Sequence, residues 1–454
     1  MSAMADRQDT IVAVATPPGK SGIGIVRLSG SAGLAIAREI THIDARPRYA
    51  HYCAFRDRAG RILDKGILLY FKAPHSFTGE DVVELHGHGG PGVLSLLLKE
   101  AVALGARLAR AGEFTERAYL NDKIDLVQAE AVADLIDSVS ARAVRSAARS
   151  LEGEFSERIS GALAQLVNIR TYVEGALDFP EEEADFLKNR ELDQKLDQLV
   201  TYLDDLLIKS RRGRLLREGV RAAIVGRPNV GKSSLLNRLT QTNRAIVTDV
   251  AGTTRDIIED TIQIDGTPVN IVDTAGIREP VDMIEQEGVK RSYREIEKAD
   301  LIILVTDINS DENDDVVEQL FREKPSGCKL IVVHNKIDLA ERVAGEADIN
   351  GVRHLYISAM TGDGLDLLRA ALKQEAGMED AGEDVVLARE RHINALETAR
   401  RFVEAGMQSF KSDGPAELLA EELRKAQQTL GQITGEFHTD DLLGEIFSRF
   451  CIGK

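Results

Sequence analysis

Cysteine is scarce in this sequence of 454 residues, which contains only Cys53, Cys328 and Cys451. Because the three are far apart, odd in number and never spaced as Cys-x-x-Cys, they indicate neither a disulfide framework nor a zinc site. Long apolar runs are also missing, since Leu301–Val305 stops far short of the roughly 18 residues that cross a bilayer. The polar N-terminus, MSAMADRQDT, is not typical of a targeting segment. We therefore expect a protein of the reducing cytoplasm without membrane attachment.

Positive charge is in deficit, with a formal net charge of −17. This value argues against a whole-surface attraction to nucleic acid, because phosphate binding is usually driven by an excess of lysine and arginine. The deficit is uneven: residues 1–122 hold 15 Lys and Arg against 13 Asp and Glu, so the remaining residues carry a net −19. Any contact with RNA would therefore be local.

The length predicts about three domains. Residues 1–122 mix short β-rich runs with one helical pattern, which is typical of an α+β domain; the runs are Ile11–Ala15, Gly24–Leu28, Gly66–Phe71 and Val82–Leu85, and the helix is Val93–Leu104. Residues 123–218 and 379–454 have the three-and-four apolar spacing of helices that pack as a bundle. Residues 219–378 alternate strands and helices, as in a doubly wound α/β domain. This order suggests an α/β domain inserted into one helical bundle, with Glu379–Asp384 as the return linker.

The strongest motif is Gly226-Arg-Pro-Asn-Val-Gly-Lys-Ser233, which follows the strand-like run Arg221–Val225 and precedes a helical pattern. This is the context that a phosphate-binding loop requires. Its glycines let backbone N–H groups converge on phosphate oxygens, Lys232 neutralises β- and γ-phosphate charge during catalysis, and Ser233 is a ligand for Mg²⁺.

Two further segments belong to the same kind of site. The strand Val269–Val272 ends in Asp273-Thr-Ala-Gly276, which places a carboxylate within reach of Mg²⁺ through water and a glycine N–H beside the γ-phosphate. Between the two motifs, Thr248–Asp256 contains several threonines, one of which should close over the metal.

Guanine recognition is predicted from Asn335-Lys336-Ile337-Asp338, which follows the strand Lys329–His334. The Asp338 carboxylate accepts two hydrogen bonds from guanine donors that adenine lacks, and an unpaired buried carboxylate is costly, so the site should reject ATP. Four motifs in this order predict a Ras-like GTPase domain. The predicted nucleotide contacts are Gly226, Asn229, Val230, Gly231, Lys232, Ser233, Ser234, Asp273, Thr274, Ala275, Gly276, Asn335, Lys336, Asp338, Ser358 and Ala359.

The residue that usually orients the attacking water is absent. Ras-type domains place a glutamine directly after Asp-x-x-Gly, whereas this chain has Ile277, whose side chain cannot orient water. The polar residues downstream are the candidates for this role, namely Arg278, Glu279, Asp282 and Glu285.

The whole chain resembles the bacterial and organellar MnmE (TrmE) family of tRNA-modification GTPases. The resemblance rests on Thr16–Gly24, Ser76–Asp81, Gly87–Gly90, Gly112–Phe114 with Leu120–Lys123, Gly252–Asp256 and Phe450–Lys454. It implies an N-terminal domain that resembles tetrahydrofolate-binding domains, mediates homodimerisation and binds 5-formyl- or methylene-tetrahydrofolate. Arg27, Glu84 and Lys123 match the family's folate-binding positions, with Lys454 nearby.

The resemblance also implies chemistry on tRNA. Family members act with an FAD-dependent partner, MnmG (GidA), and add an aminomethyl or carboxymethylaminomethyl group to carbon 5 of the wobble uridine of certain tRNAs. The folate supplies the one-carbon unit. Cys451 is either a nucleophile in this chemistry or a packing residue near the folate, and the sequence leaves both roles open.

The family is further implied to be stimulated by K⁺. Asn229, Thr248, Val250 (through its main chain) and Thr253 match the K⁺ ligands, Ser233 and Thr254 match the Mg²⁺ ligands, and Thr248 and Thr254 thereby join the predicted nucleotide site. A K⁺ beside the phosphates supplies the charge that an arginine finger supplies elsewhere. Asn229 has the alternative role of bracing the loop. Glu285 matches the family's catalytic glutamate.

A regulatory or ribosome-assembly GTPase that performs no modification chemistry is the alternative function. Such proteins usually append a basic RNA-binding module, whereas residues 385–454 hold 9 Lys and Arg against 11 Asp and Glu. The sequence therefore favours the tRNA-modifying enzyme, which binds GTP and GDP.

Overall fold

The computed structural model describes residues 9–138, 140–177, 190–227, 229–242, 259–264, 267–273, 299–309, 328–340, 342–375, 385–412, 414–436, 440–448, 450 and 453. The chain divides into two compact units. One comprises residues 1–133, 151–163 and 427–454, and the other comprises residues 134–150 and 164–426. The finer division into segments 1–122, 123–218, 219–378 and 379–454 stays a prediction.

The first unit is built on a six-stranded sheet in the order β3-β4-β5-β2-β1-β6, antiparallel except for the β1 and β6 pair. The strands are β1 (Ile11–Val14), β2 (Ser21–Ser29), β3 (His51–Arg56), β4 (Ile62–Phe71), β5 (Val82–Gly89) and β6 (Arg107–Leu108). Helices α1 (Gly33–Thr41) and α2 (Pro91–Ala103) pack against the sheet, and α3 (Glu113–Leu120) follows β6. The sheet and helices confirm the predicted α+β character of this segment.

One face of this sheet forms the core. Val26 and Leu28 of β2 are fully buried with Val83 and Leu85 of β5. Because side chains alternate along a strand, Arg27 projects to the opposite face. The antiparallel register places Arg27 directly opposite Glu84. The apolar pattern of the core therefore places two of the predicted folate-binding residues, Arg27 and Glu84, opposite each other on the other face.

Helices account for the segments with three-and-four apolar spacing. They are α4 (Leu126–Asp137), α5 (Ala141–Leu151), α6 (Glu154–Leu177), α7 (Arg190–Glu218), α10 (Glu390–Lys411), α11 (Ala416–Thr434) and α12 (Asp440–Ser448). In the second unit, α7 and α10 pack along each other, and Leu196, Leu199 and Leu203 of α7 are fully buried. None of the helices in the described ranges is long and apolar enough to cross a membrane.

The second unit contains a seven-stranded sheet in the order β12-β13-β11-β10-β7-β9-β8. The strands are β7 (Val220–Val225), β8 (Glu259–Ile264), β9 (Thr267–Asp273), β10 (Leu301–Asp307), β11 (Lys329–Asn335), β12 (Gly345–Ile349) and β13 (Val352–Tyr356). The central strands are parallel, and β8 and β12 add antiparallel edges. With the helices α8 (Lys232–Thr242) and α9 (Leu365–Glu375), this confirms the predicted doubly wound α/β domain.

Candidate functional site

The candidate site lies at the carboxyl ends of the parallel strands. Strand β9 pairs with β7 on one side, and β10, which follows β9 in the chain, pairs with β7 on the other side, so the strand order reverses at β7. Ligands of doubly wound sheets bind outside the carboxyl ends at such a reversal. The loop that starts at Gly226 emerges at this point.

The loop between β7 and α8 depends on two glycines and one unusual asparagine. Gly231 has φ +100°, and a Cβ there would lie 2.2 Å from Asn335 Nδ2. At Gly226 a Cβ would lie 2.2 Å from the Val305 carbonyl oxygen. Asn229 has φ 65°, in the left-handed region that asparagine tolerates better than most residues. The positive φ and the Asn335 amide explain Gly231, and the nearby Val305 carbonyl explains Gly226, both independently of any ligand.

Lys232 begins α8 and folds back over the loop. Its Nζ donates hydrogen bonds to the carbonyl oxygens of Gly226 at 2.6 Å and Arg227 at 2.9 Å. Ser233 and Ser234 are exposed in the first turn of the helix. Together, a lysine ammonium, a hydroxyl and a helix N-terminus form the donor set that suits phosphate with a bound Mg²⁺.

Asn335 connects the two halves of the site. Its side chain is 2% exposed; Nδ2 donates to the Val230 carbonyl at 2.8 Å, and the Ala359 N–H donates to Oδ1 at 2.9 Å. The first bond reaches the phosphate loop, and the second reaches the loop after β13. The segment with Ser358 and Ala359, predicted to contact the nucleotide, and the phosphate loop are thus both bound to one buried amide.

Asp338 lies three residues further on, in the short 3₁₀ helix Ile337–Leu339, and its side chain is exposed. Ser358 Oγ donates to Asp338 Oδ1 at 2.6 Å and accepts a hydrogen bond from Thr361 N–H at 3.1 Å. Ser358 is fully buried, so it holds one carboxylate oxygen in place from below. The second oxygen has no partner among the described contacts, and Oδ1 keeps a further acceptor position, so the carboxylate can accept both hydrogen bonds of a donor pair such as that of guanine.

Lys336 occupies the turn between these anchors, with φ 68°. Its Nζ forms an ion pair of 2.7 Å with Asp307 Oδ2 at the end of β10. The hydrogen bond from Lys336 lowers the pKa of the Asp307 carboxyl, although partial burial acts in the opposite direction.

Sequence reasoning missed two residues near this site. Asp307 had a signal, because it ends an apolar strand at the predicted ligand edge. Arg238 had none, and its guanidinium donates to the Met360 carbonyl at 2.7 Å and, more weakly, to the Ala359 carbonyl at 3.4 Å. Arg238 thereby fastens α8 to the loop that carries Ser358.

Several predicted site residues lie outside the described part of the chain. They are Thr248, Val250, Thr253, Thr254, Thr274, Ala275, Gly276, Ile277, Arg278, Glu279, Asp282, Glu285, Cys451 and Lys454, together with the linker Glu379–Asp384. Asp273 ends β9 beside Ile224 of β7, although its side chain is not described. The metal ligands and the catalytic glutamate predicted within these segments stay predictions.

In the first unit, Arg27 and Glu84, two of the predicted folate-binding residues, contact each other. Arg27 Nε donates to Glu84 Oε1 at 2.8 Å, and His86 Nε2 lies 2.8 Å from Glu84 Oε2. Burial alone would raise the pKa of the Glu84 carboxyl, but the hydrogen bond from His86 and the charge and hydrogen bond of Arg27 lower it overall. Arg27 also donates to the Gly453 carbonyl at 3.3 Å, so Gly453 lies beside this pair.

Lys123 does not join that pair by any contact among the described residues. Its Nζ donates to the Pro74 carbonyl at 3.0 Å. It lines a cavity of about 460 Å³ together with Asp122, Asp125, Gln128 and Glu436. The predicted folate residues are thus divided between a charged pair on the sheet and a lysine at a separate cavity.

Comparison with known proteins matches both parts of the chain. The family model for the GTP-binding protein TrmE N-terminus matches residues 10–123, and that for the MnmE helical domain matches residues 126–451. Among solved structures, the G domain of the T. maritima FeoB iron transporter is 27% identical, with a TM-score of 0.27 over 35% of this chain and 98% of that chain.

Full-length relatives are also similar. The tRNA modification GTPase MnmE of Hydrogenovibrio crunogenus (strain DSM 25203 / XCL-2) is 50% identical over 449 residues, which cover 98% of this chain and 99% of the relative. The protein of the same name from Yersinia pseudotuberculosis serotype IB (strain PB1/+) is 51% identical over 450 residues, with the same coverage. On the family models and on identity along nearly its whole length, the chain belongs to the MnmE (TrmE) family of tRNA-modification GTPases.

Proposed function

We propose that this chain hydrolyses GTP and that its nucleotide cycle drives modification of carbon 5 of the wobble uridine in certain tRNAs. The observation that carries the proposal is the buried Asn335 side chain, which ties the phosphate loop to the loop that supports Asp338. A site that fixes the distance between a phosphate cradle and a base-reading carboxylate is built for a whole nucleotide. The tRNA chemistry is inferred from the family.

Different residues among those described bind the phosphates and the base of GTP. The N–H groups at the start of α8 and the Lys232 ammonium face the phosphates, and Ser233 would hold Mg²⁺, which neutralises phosphate charge. At the other end, Asp338 accepts hydrogen bonds from the guanine donors, while Ser358 holds the carboxylate in place. ATP would leave that carboxylate covered and unpaired, which is costly.

Stimulation by K⁺ is part of the proposal. Asn229 is exposed on the phosphate loop, and its carboxamide oxygen suits a hard cation. The other proposed ligands, Thr248, Val250 and Thr253, lie outside the described residues. Since Ile277 leaves the site without a water-orienting glutamine, we further propose that Glu285 takes this role when two GTPase domains of a homodimer meet across the nucleotide.

Folate binding is proposed for the first unit. A reduced pterin carries a pair of N–H donors that suits a carboxylate, and the folate tail carries carboxylates that suit a guanidinium or an ammonium. Glu84 and Arg27 supply the first two groups within hydrogen-bonding distance of each other, and Lys123 supplies an ammonium. The bound folate would donate a one-carbon unit to tRNA, with the FAD-dependent MnmG (GidA) protein as partner. Cys451 would act near this folate.

Two measurements test the proposal at different levels. Mass spectrometry of wobble uridines should show loss of the carbon 5 substituent in cells that lack this protein, and an unchanged uridine profile would favour the regulatory GTPase. GTP turnover by the purified protein should fall when K⁺ is replaced by Na⁺. Equal rates in the two salts would remove K⁺ from the mechanism without affecting the tRNA assignment.

A further inference from the structure

The loop that follows β13 carries Ser358 and Ala359 and has an exposed tip. Met360 at this tip is 79% exposed. Within the loop, Thr361 N–H donates to Ser358 Oγ at 3.1 Å, and Gly362 N–H donates to the Ser358 carbonyl at 2.9 Å. These bonds shape the loop, but they do not attach it to the rest of the domain.

Among the described contacts, two side chains from elsewhere in the domain hold the backbone of this loop. Asn335 Oδ1 accepts the Ala359 N–H from the interior. Arg238 holds the loop from the solvent side, where its Nη2 donates to the Met360 carbonyl at 2.7 Å and its Nε donates to the Ala359 carbonyl at 3.4 Å. Hydrogen bonds from a charged donor are stronger than those between neutral groups, so the Met360 contact is the main attachment on this side.

Arg238 belongs to the helix that also carries the phosphate-binding lysine. Helix α8 begins at Lys232, and Arg238 follows about 9 Å further along the helix axis, at about 1.5 Å per residue. Leu235 and Leu239 are fully buried, which fixes the helix against the core of the domain. The contact between Arg238 and Met360 therefore joins this fixed helix directly to the loop, on the side opposite to Asn335.

We propose that Arg238 is a positioning residue for guanine-nucleotide binding, which keeps the loop after β13 closed and thereby slows release of the nucleotide. This inference rests on the proposed binding of GTP and GDP. Closure keeps Ser358 against the Asp338 carboxylate that reads the base. Because Arg238 is exposed, water can replace its hydrogen bonds, so the loop opens locally and lets the base leave.

The test is the rate at which the full-length chain releases GDP that carries a methylanthraniloyl fluorophore on its ribose, when excess GDP is added. We expect Arg238→Ala to raise this rate about 5-fold, which corresponds to about 1 kcal/mol. Arg353→Ala is the matched control, because Arg353 lies at the start of β13, remote from the loop, and donates to Gln374 Oε1. A rate for Arg238→Ala within about 2-fold of the control would overturn the proposal.

The conservative variant Arg238→Lys tests the charged donor. Its ammonium can donate to the Met360 carbonyl but cannot bind two carbonyls with the planar geometry of a guanidinium. The lysine variant should therefore release the nucleotide at a rate between those of the unaltered chain and Arg238→Ala. Release as fast as from the alanine variant would contradict the role of a cationic donor at this position.

Hydrogen exchange separates positioning from a merely structural role. In Arg238→Ala without nucleotide, the Thr361 and Gly362 amides should exchange faster, while the amides of the phosphate loop keep their rates. Faster exchange in both regions would show that the substitution loosens α8 as a whole, which would overturn the assignment.

A double variant tests whether Arg238 acts through Ser358. In a Ser358→Ala background, Arg238→Ala should accelerate release less than it does in the unaltered chain, because the support of Asp338 is already lost. An undiminished acceleration would show that Arg238 does not act through Ser358. Failure of the unaltered chain to bind GDP would contradict the proposed function itself, separately from the Arg238 inference.

Discussion

Replacement of Asn335 by alanine should disconnect the two halves of the nucleotide site. The change removes both hydrogen bonds of a side chain that is 2% exposed and leaves the Val230 carbonyl and the Ala359 N–H without that partner. Each buried polar group left unpaired costs about 1–3 kcal/mol. If relaxation and water recover half of this cost, about 2 kcal/mol remains, which corresponds to about 30-fold in affinity.

The variant Asn335→Asp tests the hydrogen bond donated by Asn335 Nδ2 separately from the bond accepted by Oδ1. An aspartate keeps an acceptor for the Ala359 N–H but places a carboxylate oxygen against the Val230 carbonyl, where the amide donated a hydrogen bond. Two acceptors in contact repel each other, so the aspartate variant should bind GDP no better than the alanine variant although it retains one of the two bonds. The comparison isolates the donor at Nδ2.

The assay is calorimetric titration with GDP, combined with hydrogen exchange of amides in the phosphate loop and after β13. Both regions should exchange faster in the Asn335 variants, because local opening has become easier. Asn270→Ala serves as control, since its Nδ2 donates to the Glu218 carbonyl at an exposed position. GDP affinity of Asn335→Ala within about 2-fold of this control would refute the argument that the buried amide holds the site together.

Three more predictions concern residues of the proposed mechanism. Asp338→Asn should shift preference from GTP toward xanthosine triphosphate in competition binding, and retained GTP preference would contradict its assignment as the guanine reader. Glu285→Ala in K⁺ buffer should lower the single-turnover rate about 100-fold or more with nearly unchanged GTP affinity, whereas a parallel loss of affinity would reassign Glu285 to structure. Because the pKa of Glu84 is lowered from 4.5, its pairing with Arg27 and His86 stabilises the fold above that pH and is lost as the pH falls through the folded value. Glu84→Gln should therefore flatten the acid limb of thermal stability and weaken binding of 5-formyl-tetrahydrofolate, and an unchanged acid limb would remove Glu84 from the pH dependence.

The nucleotide loop was predictable because its chemistry constrains neighbouring residues. Gly231 and Lys232 are adjacent, and each is needed for a local reason that a short motif records. The bridge through Asn335 was not predictable as a bridge, because its partners Val230 and Ala359 lie 105 and 24 residues away in sequence. The sequence showed which residues bind but not how the loops are held together.

The first unit shows why other elements were missed. Helix α3 buries Glu113 and Arg117, so its sequence lacks an apolar stripe although it packs in the interior. Burial alone would raise the pKa of the Glu113 carboxyl, but hydrogen bonds from Arg107 and the Arg110 N–H lower it overall. Strand β3 was missed because an aromatic residue is exposed there. Tyr52 is 74% exposed and interrupts the alternation of apolar and polar residues by which a strand is predicted. Prediction of helices and strands from apolar periodicity therefore fails where charged residues are paired and buried, and where aromatic residues are exposed.

Guanine recognition and hydrolysis draw on different parts of this chain. Asn335, Lys336 and Asp338 lie within four consecutive positions, yet each is held by a different partner: the phosphate loop, the end of β10, and Ser358 after β13. These anchors come from the sheet, so base recognition is set by the fold of one domain. The proposed water-orienting Glu285 and most of the proposed K⁺ ligands belong to other segments, 243–258 and 274–298. Because the proposed roles differ, base binding in one set and orientation of the attacking water in the other, we expect substitutions at Asn335 or Asp338 to act on affinity and substitutions at Glu285 to act on the rate.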